Sequence, residues 1–167
     1  MVAAEQRHRR VLQMDAGEVD AFLHEQRTAR FASTDAAGHP HVTPVWFVWD
    51  GSAVWVSSLL RSQRWSDVAG NAAVALVCDA GETYGELRGV EITGTATVVG
   101  EVPRSDEPND AVSDAERRFE QKYLGRPMRH EGKHGWLCIR PALVVSWDHR
   151  KLPAPPVESI SRPNRPR

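Results

Sequence analysis

Apolar and polar positions along this chain follow two periods in turn, first helical and then strand-like. Asp15 and Glu18 have the spacing of a capping box, and Val19, Phe22 and Leu23 then fall on one helical face. They predict a short amphipathic helix over Ala16 to Gln26, after which the period changes. Arg30 to Thr34 predicts a strand, Asp35-Ala36-Ala37-Gly38 a tight turn, and His41 to Trp49 a long β-branched and aromatic strand. Asp50-Gly51 is a hairpin signal, so Ala53 to Ser58 is expected to return antiparallel and complete a three-stranded meander. Between Val45 and Trp49 both alternating faces are apolar, so both need cover. One face can fill a barrel, and a partner subunit is the simplest cover for the other. Pro44 cannot donate to a ladder, which predicts an open or bulged sheet, or a plain edge strand, at that point. An opening there would admit a flat ligand.

The second half continues the pattern. Ser62 can cap a short helix over Gln63 to Ala69, closed by Gly70-Asn71. Ala73 to Asp79 and Leu87 to Val99 predict strands, the second with bends permitted at Gly89 and Gly94. Ser113 and Glu116 have the spacing of a second capping box, opening a helix to about Tyr123. A flexible loop with glycines at 125, 132 and 135 then leads to two final strands, Gly135 to Arg140 and Leu143 to Trp147, broken at Pro141. Five of the eleven prolines fall between Pro153 and Pro166, so residues 153–167 are expected to form an extended Pro/Arg-rich tail behind one domain over 1–152. Strand pairs joined by hairpins disfavour a doubly wound sheet. Six or seven strands with two or three peripheral helices point to a Greek-key-like barrel.

Composition narrows the function. A formal net charge of -1 over 167 residues gives no global field toward nucleic acid or an anionic membrane, so an anion must be caught by a local cluster. No run reaches the length of a membrane helix, and the N-terminus lacks the apolar core of a signal peptide, so the expected location is cytoplasmic. Cys78 and Cys138 lie in apolar runs and read as small buried hydrophobes. The seven histidines show no metal spacing, and His130 and His134 read as solvated loop residues.

The segment from Ser57 to Arg64 carries the most chemistry. A strand delivers the chain to a helix start, where unpaired backbone N–H groups and the dipole favour an anion. Ser57, Ser58 and Ser62 add neutral donors, while Arg61 and Arg64 add permanent charge. The same composition also fits a capped surface helix with solvated arginines. Most of the six tryptophans suit packing; Trp46, beside Pro44, is the one best placed to stack on an aromatic ligand.

The blocks RTARFASTDAAGHPHVTPVWFVWDG, SSLLRSQRWSDVAGNAAVAL, YGELRGVEITGTATVV and LVVSWDHRKL resemble successive segments of the pyridoxamine 5'-phosphate oxidase-like split barrels. Within that family they most resemble the actinobacterial flavin/deazaflavin oxidoreductases, many of which use coenzyme F420, an 8-hydroxy-5-deazaflavin. The resemblance spans Arg27 to Leu152. It implies a mainly β fold with peripheral helices, a six- to seven-stranded antiparallel split β-barrel of the FMN-binding type, dimerising with two cofactor grooves at the interface. It places the cofactor phosphate against Ser58, Arg61, Ser62, Gln63 and Arg64, with Ser57 beside them. The ring edge would meet the backbone of Thr43, Pro44, Val45 and Trp46. Trp147, Arg150 and Lys151 would come from the opposite subunit. Family members often carry Lys-x-x-Asn-Leu where this chain has Arg64 to Val68, so Asp67 replaces a neutral amide.

The function so implied is an F420-dependent oxidoreductase passing a hydride to a small electron-poor double bond or imine, in a homodimer that binds neither nucleic acid nor membrane. The alternatives are an FMN-dependent oxidase or reductase, a non-catalytic F420 or flavin carrier, and a haem-binding barrel with His41 or His149 as axial ligand. Catalytic residues are not assigned: Tyr84 and His41 are candidates for an acid by type only.

Overall fold

The computed structural model describes residues 11–153; apart from Pro153, the expected tail lies outside the described residues. Helix α1 spans Ala16–Glu25. Its capping box forms as the spacing predicts, with the Glu18 N–H donating to Asp15 Oδ1 at 2.9 Å and the Asp15 N–H to Glu18 Oε2 at 2.7 Å. Phe22 and Leu23 are buried by it.

Seven strands follow: β1 Thr28–Thr34, β2 Pro40–Trp46, β3 Val48–Trp49, β4 Val54–Leu59, β5 Ala73–Ala80, β6 Arg88–Val99 and β7 His134–Asp148. Helix α2 (Gln63–Gly70) connects β4 to β5, and α3 (Ser113–Phe119), continued by a wider turn over Glu120–Leu124, lies between β6 and β7. One antiparallel sheet results, in the order β2-β1-β5-β6-β7-β4-β3. It is a mainly β split barrel. Alternate positions point inward, among them Ala29 and Phe31, Val54 and Val56, Val74 and Leu76, Val90 and Ile92, and Leu137 and Ile139. Full burial of such side chains contributes roughly 1.5–3 kcal/mol each.

Several local expectations need correction. Strands β1 and β2 form a hairpin, but β2 does not pair with β4, so no meander opens the domain. The long second strand breaks at Phe47, and only its end, β3, pairs with β4. Pro44 interrupts nothing: it sits in register opposite Arg30 on an edge strand, where proline has no further ladder to break. The break lies three residues later, and Tyr123 stitches it. The Phe47 N–H donates to the Tyr123 hydroxyl at 3.0 Å, and the single proton of that hydroxyl is shared between Phe47 O at 2.6 Å and Arg27 O at 2.8 Å.

The second apolar face at Val48 is covered by the chain's own α3. Val48, Val112, Ala115, Phe119 and Trp136 form a separate buried cluster on that side. The capping box expected at Ser113 does not form. Val112 takes the cap position, and Glu116 turns inward to Arg104, which is only 3% exposed. The two final strands are one continuous β7, whose register against β6 shifts between Thr93 and Gly94, leaving Ala142 of β7 as the extra residue. Gly94 is required there, since a Cβ would lie 2.2 Å from Arg140 O. Both cysteines are free and buried, and burial pushes the Cys78 thiol up to about 12. Among the described residues no helix is long and apolar enough to cross a membrane.

Candidate functional site

The barrel does not close between β2 and β4, and Arg64 fills that seam. Helix α2 starts there because Ser62 caps it, accepting the Trp65 N–H at 3.3 Å while donating to Leu59 O at 2.7 Å. The first turn of α2 then directs Arg64 across the gap. Its Nη1 donates to Thr43 Oγ1 on β2 at 2.7 Å and its Nε to Ser58 Oγ on β4 at 3.2 Å, with the guanidinium 5.7 Å from the centre of the Phe31 ring. Burial pulls its pKa below the ordinary arginine value. A half-buried guanidinium with only neutral hydroxyl partners is under-compensated, and an anion at the seam would supply what it lacks. Arg61 stands exposed nearby, with no side-chain partner among the described residues.

Gln63 is exposed, and its amide is engaged within α2. Its amide donates to Asp67 Oδ1 at 2.7 Å, and the Ser33 hydroxyl donates to Asp67 Oδ2 at 2.7 Å. These bonds, the Ser33 hydroxyl foremost, hold the buried Asp67 carboxyl below the usual range. His41 Nδ1 lies 3.4 Å from Asp67 Oδ2 but outside hydrogen-bond geometry.

Strand alternation sends Ser57 and Ser58 to opposite faces. Ser58 looks inward beside Arg64, whereas Ser57 lines a cavity of about 810 Å³ on the outer face. Trp46 forms another wall of it. Its ring stacks on Tyr123 at 4.7 Å with planes 8° apart, and it remains 51% exposed. Pro44 also faces outward, while Thr43 and the buried Val45 share the inner face of β2. Thr43, Ser58, Ser62 and Arg64 therefore gather at the inner corner, and Trp46 and Ser57 at the cavity.

The rest of the cavity comes from the end of α3 and its continuation, and from the loop that the sequence marks after them. Phe119, Leu124 and Met128 give apolar walls; Arg126, Arg129, Glu131 and two histidines complete it. The loop is tied down: the Met128 N–H donates to Glu120 Oε1 at 2.8 Å, the His130 N–H to Asp106 Oδ1 at 2.9 Å, and the Arg104 N–H to His134 O at 2.8 Å. His130 is not solvated as expected. Its ring is 8% exposed, with Nε2 3.3 Å from Glu116 Oε1, the oxygen that also accepts Arg104 Nε at 2.7 Å and Trp136 Nε1 at 3.1 Å. Burial lowers the pKa of His134, favouring its neutral form.

Trp147, Arg150 and Lys151 are not brought to this site within the subunit. Trp147 packs over Gly89, where a Cβ would lie 2.2 Å from its ring. Arg150 is paired with Asp148 at 2.5 Å, and Lys151 donates to Glu18 and, at 2.8 Å, to Gln13 O. Tyr84 is exposed and meets His149 edge-on at 4.6 Å, away from the cavity lining. Among the described residues no group of three or more His, Cys, Asp or Glu could hold a metal ion.

Comparison with known proteins accords with this geometry. A protein-family profile described as pyridoxamine 5'-phosphate oxidase matches residues 16–148. No curated protein matches the sequence. Among solved structures, a conserved hypothetical protein from Mycobacterium tuberculosis shares 28% identity at a TM-score of 0.71, covering 87% of this chain and 93% of that one. A protein described as an F420 reductase shares 19% identity at a TM-score of 0.58, covering 75% and 94%. The heme storage protein HutZ from Vibrio cholerae shares 14% identity at 0.62, covering 79% and 95%. The last two likenesses bear on the fold alone.

Proposed function

The chain belongs to the pyridoxamine 5'-phosphate oxidase family, and from that premise we propose that it is an F420-dependent oxidoreductase acting on a small electron-poor substrate. The observation that carries the reading is Arg64, a half-buried guanidinium held between Thr43 and Ser58 with no carboxylate against it. That corner suits a phosphate, the anion shared by F420 and the flavin nucleotides, and the start of α2 adds its dipole. The cofactor would supply hydride chemistry; this chain's residues bind and orient it. Arg64 and the Ser58 hydroxyl would hold the phosphate, and the cavity end at Trp46 and Ser57 would take the ring. The apolar walls Phe119, Leu124 and Met128 would exclude water from it.

Arg61 favours F420 over FMN. It is an exposed charge close in sequence to Arg64, available to a carboxylate-rich tail that FMN lacks. A homodimer is part of the same proposal. Leu143, Val144 and Val145 are 57%, 39% and 45% exposed in a row on β7, an apolar stretch that a second copy would cover. Trp147, Arg150 and Lys151 adjoin that stretch and could reach a cofactor only in a neighbouring subunit.

Titration of the apo protein with F420 and FMN side by side tests the proposal, and F420 is expected to bind more tightly. A yellow, FMN-loaded protein that ignores added F420 would replace the F420 reading with the FMN one. Tight F420 binding without turnover of any activated alkene or imine would make the protein a carrier.

A further inference from the structure

The loop end of the cavity carries charge that the cofactor reading does not use. Arg126 and Arg129 both line it, both are exposed, and neither has an acidic partner among the described residues. Several other surface arginines are paired, Arg88 with Glu25 at 2.7 Å, Arg118 with Asp114 at 2.6 Å, and Arg30 with Asp79, whereas Arg61, at the other end of the site, is also without an acidic partner among the described residues. The acids around the cavity are committed. Glu131 holds Lys133 at 2.6 Å, Glu120 and Asp106 accept backbone N–H groups of the loop, and Glu116 is shared by Arg104, Trp136 and His130. Among the residues lining the cavity, Arg126 and Arg129 face a single acid, Glu131, which is paired with Lys133, so the lining carries a positive balance; Arg129 also borders the neighbouring groove that holds Asp106 and Glu120. The same cavity has an apolar wall: Phe119, packed at an angle against Tyr123 and edge-on against Trp136, with Leu124 and Met128.

We propose that this loop end is the substrate seat, and that the substrate is a flat conjugated acid whose anionic group is taken by Arg126 and Arg129 while its ring lies on the Phe119 side of the cavity. The assignment to substrate rests on the redox reading of the cavity. The binding claim does not. At about 810 Å³ the cavity stands toward the upper end of the ~300–1,000 Å³ range of ligand pockets, which leaves room for a second planar molecule beside a cofactor ring. Guanidinium forks suit a carboxylate better than a neutral amide, because only the carboxylate offers two charged acceptors.

Two isosteric probes test it: 2-naphthoate and 2-naphthamide, titrated by tryptophan quenching into apo and cofactor-loaded protein. The acid is expected to bind at least about tenfold more tightly than the amide in both forms. In the double variant Arg126→Gln, Arg129→Gln that preference should shrink below about twofold, with amide affinity, melting temperature and F420 affinity unchanged. An Arg64→Met variant should keep the preference intact, which separates this seat from the phosphate corner whether or not the corner reading holds. Equal binding of acid and amide, no binding of either, or a preference that survives the double variant would overturn the proposal. Loss of F420 affinity in the double variant, with the naphthoate preference unmoved, would also overturn it, by giving these arginines to the cofactor tail.

Discussion

Replacing Arg64 by methionine separates an anion site from a structural clasp. The substitution keeps an unbranched aliphatic stem and removes the guanidinium that lies over Phe31. In the apo protein two hydrogen bonds to neutral hydroxyls disappear, Thr43 Oγ1 at 2.7 Å and Ser58 Oγ at 3.2 Å. Each contributes a net ~0.5–1.5 kcal/mol. Ser58 keeps one partner, since its hydroxyl lies 3.3 Å from that of Ser62. Against this loss stands the removal of a partly desolvated charge that no carboxylate offsets, the condition that lowers its pKa. The opposing effects leave apo stability within about 1 kcal/mol of the parent.

With a phosphate in the corner the balance differs. A hydrogen bond to a charged group contributes ~1.5–3 kcal/mol, so affinity for F420 should fall roughly 10- to 150-fold. Arg61→Ala combined with Arg64→Ala should cost at least ~2 kcal/mol of binding. Calorimetric titration beside urea unfolding of the apo protein gives both quantities. A stability loss of ~2–3 kcal/mol with unchanged cofactor affinity would make Arg64 a clasp across the seam and remove the phosphate assignment.

Other perturbations test the frame around the site. Tyr123→Phe should lower stability by ~1–3 kcal/mol in urea with an unchanged slope, because Phe47 N–H and C=O at the strand break lose their partner; a change below about 0.5 kcal/mol would show that the hydroxyl does not hold the break. Asp67 has a carboxyl pKa depressed by its bonds to Ser33 and Gln63, so it contributes stability above the ordinary aspartate range and loses it as pH falls through the lower folded value. Asp67→Asn should therefore be less stable at pH 7 and lose less than the parent between about pH 4 and 2; parallel acid-unfolding curves would argue that the depression is absent.

What could be read without coordinates was local. The Asp15–Glu18 capping box, the strand cores and the α2 start depend on residues within one turn or one strand, and they stand where the pattern puts them. The same capping-box spacing at Ser113 and Glu116 misled because a distant residue, Arg104, competes for the Glu116 carboxylate. The meander misled for a similar reason: Asp50-Gly51 does join β3 to β4, but Phe47 turns the chain away from β2, and β7 takes the remaining β4 partners. At the site, Trp46, Ser57 and Arg64 could be chosen by residue chemistry. Arg126, Arg129 and His130 could not, since a loop without periodicity says nothing about which way its side chains turn.

Arg64 owes its availability to Asp67. The two are three apart on α2, a spacing at which opposite charges on one helix face ordinarily pair. Here they do not, because α2 turns Asp67 inward, where both carboxylate oxygens are engaged, Oδ1 by Gln63 and Oδ2 by Ser33. The acid that would otherwise quench the guanidinium is thereby sequestered, and Arg64 is left to the seam. An asparagine at this position would have no charge to sequester; an aspartate requires the Ser33 and Gln63 bonds. It follows that Gln63→Leu, which frees Oδ1, should weaken cofactor binding although Gln63 need not touch the cofactor, and that adding Asp67→Asn to the same chain should restore it. If Gln63→Leu lowers affinity equally with and without the Asp67→Asn substitution, Gln63 contacts the ligand directly and the sequestration argument is wrong.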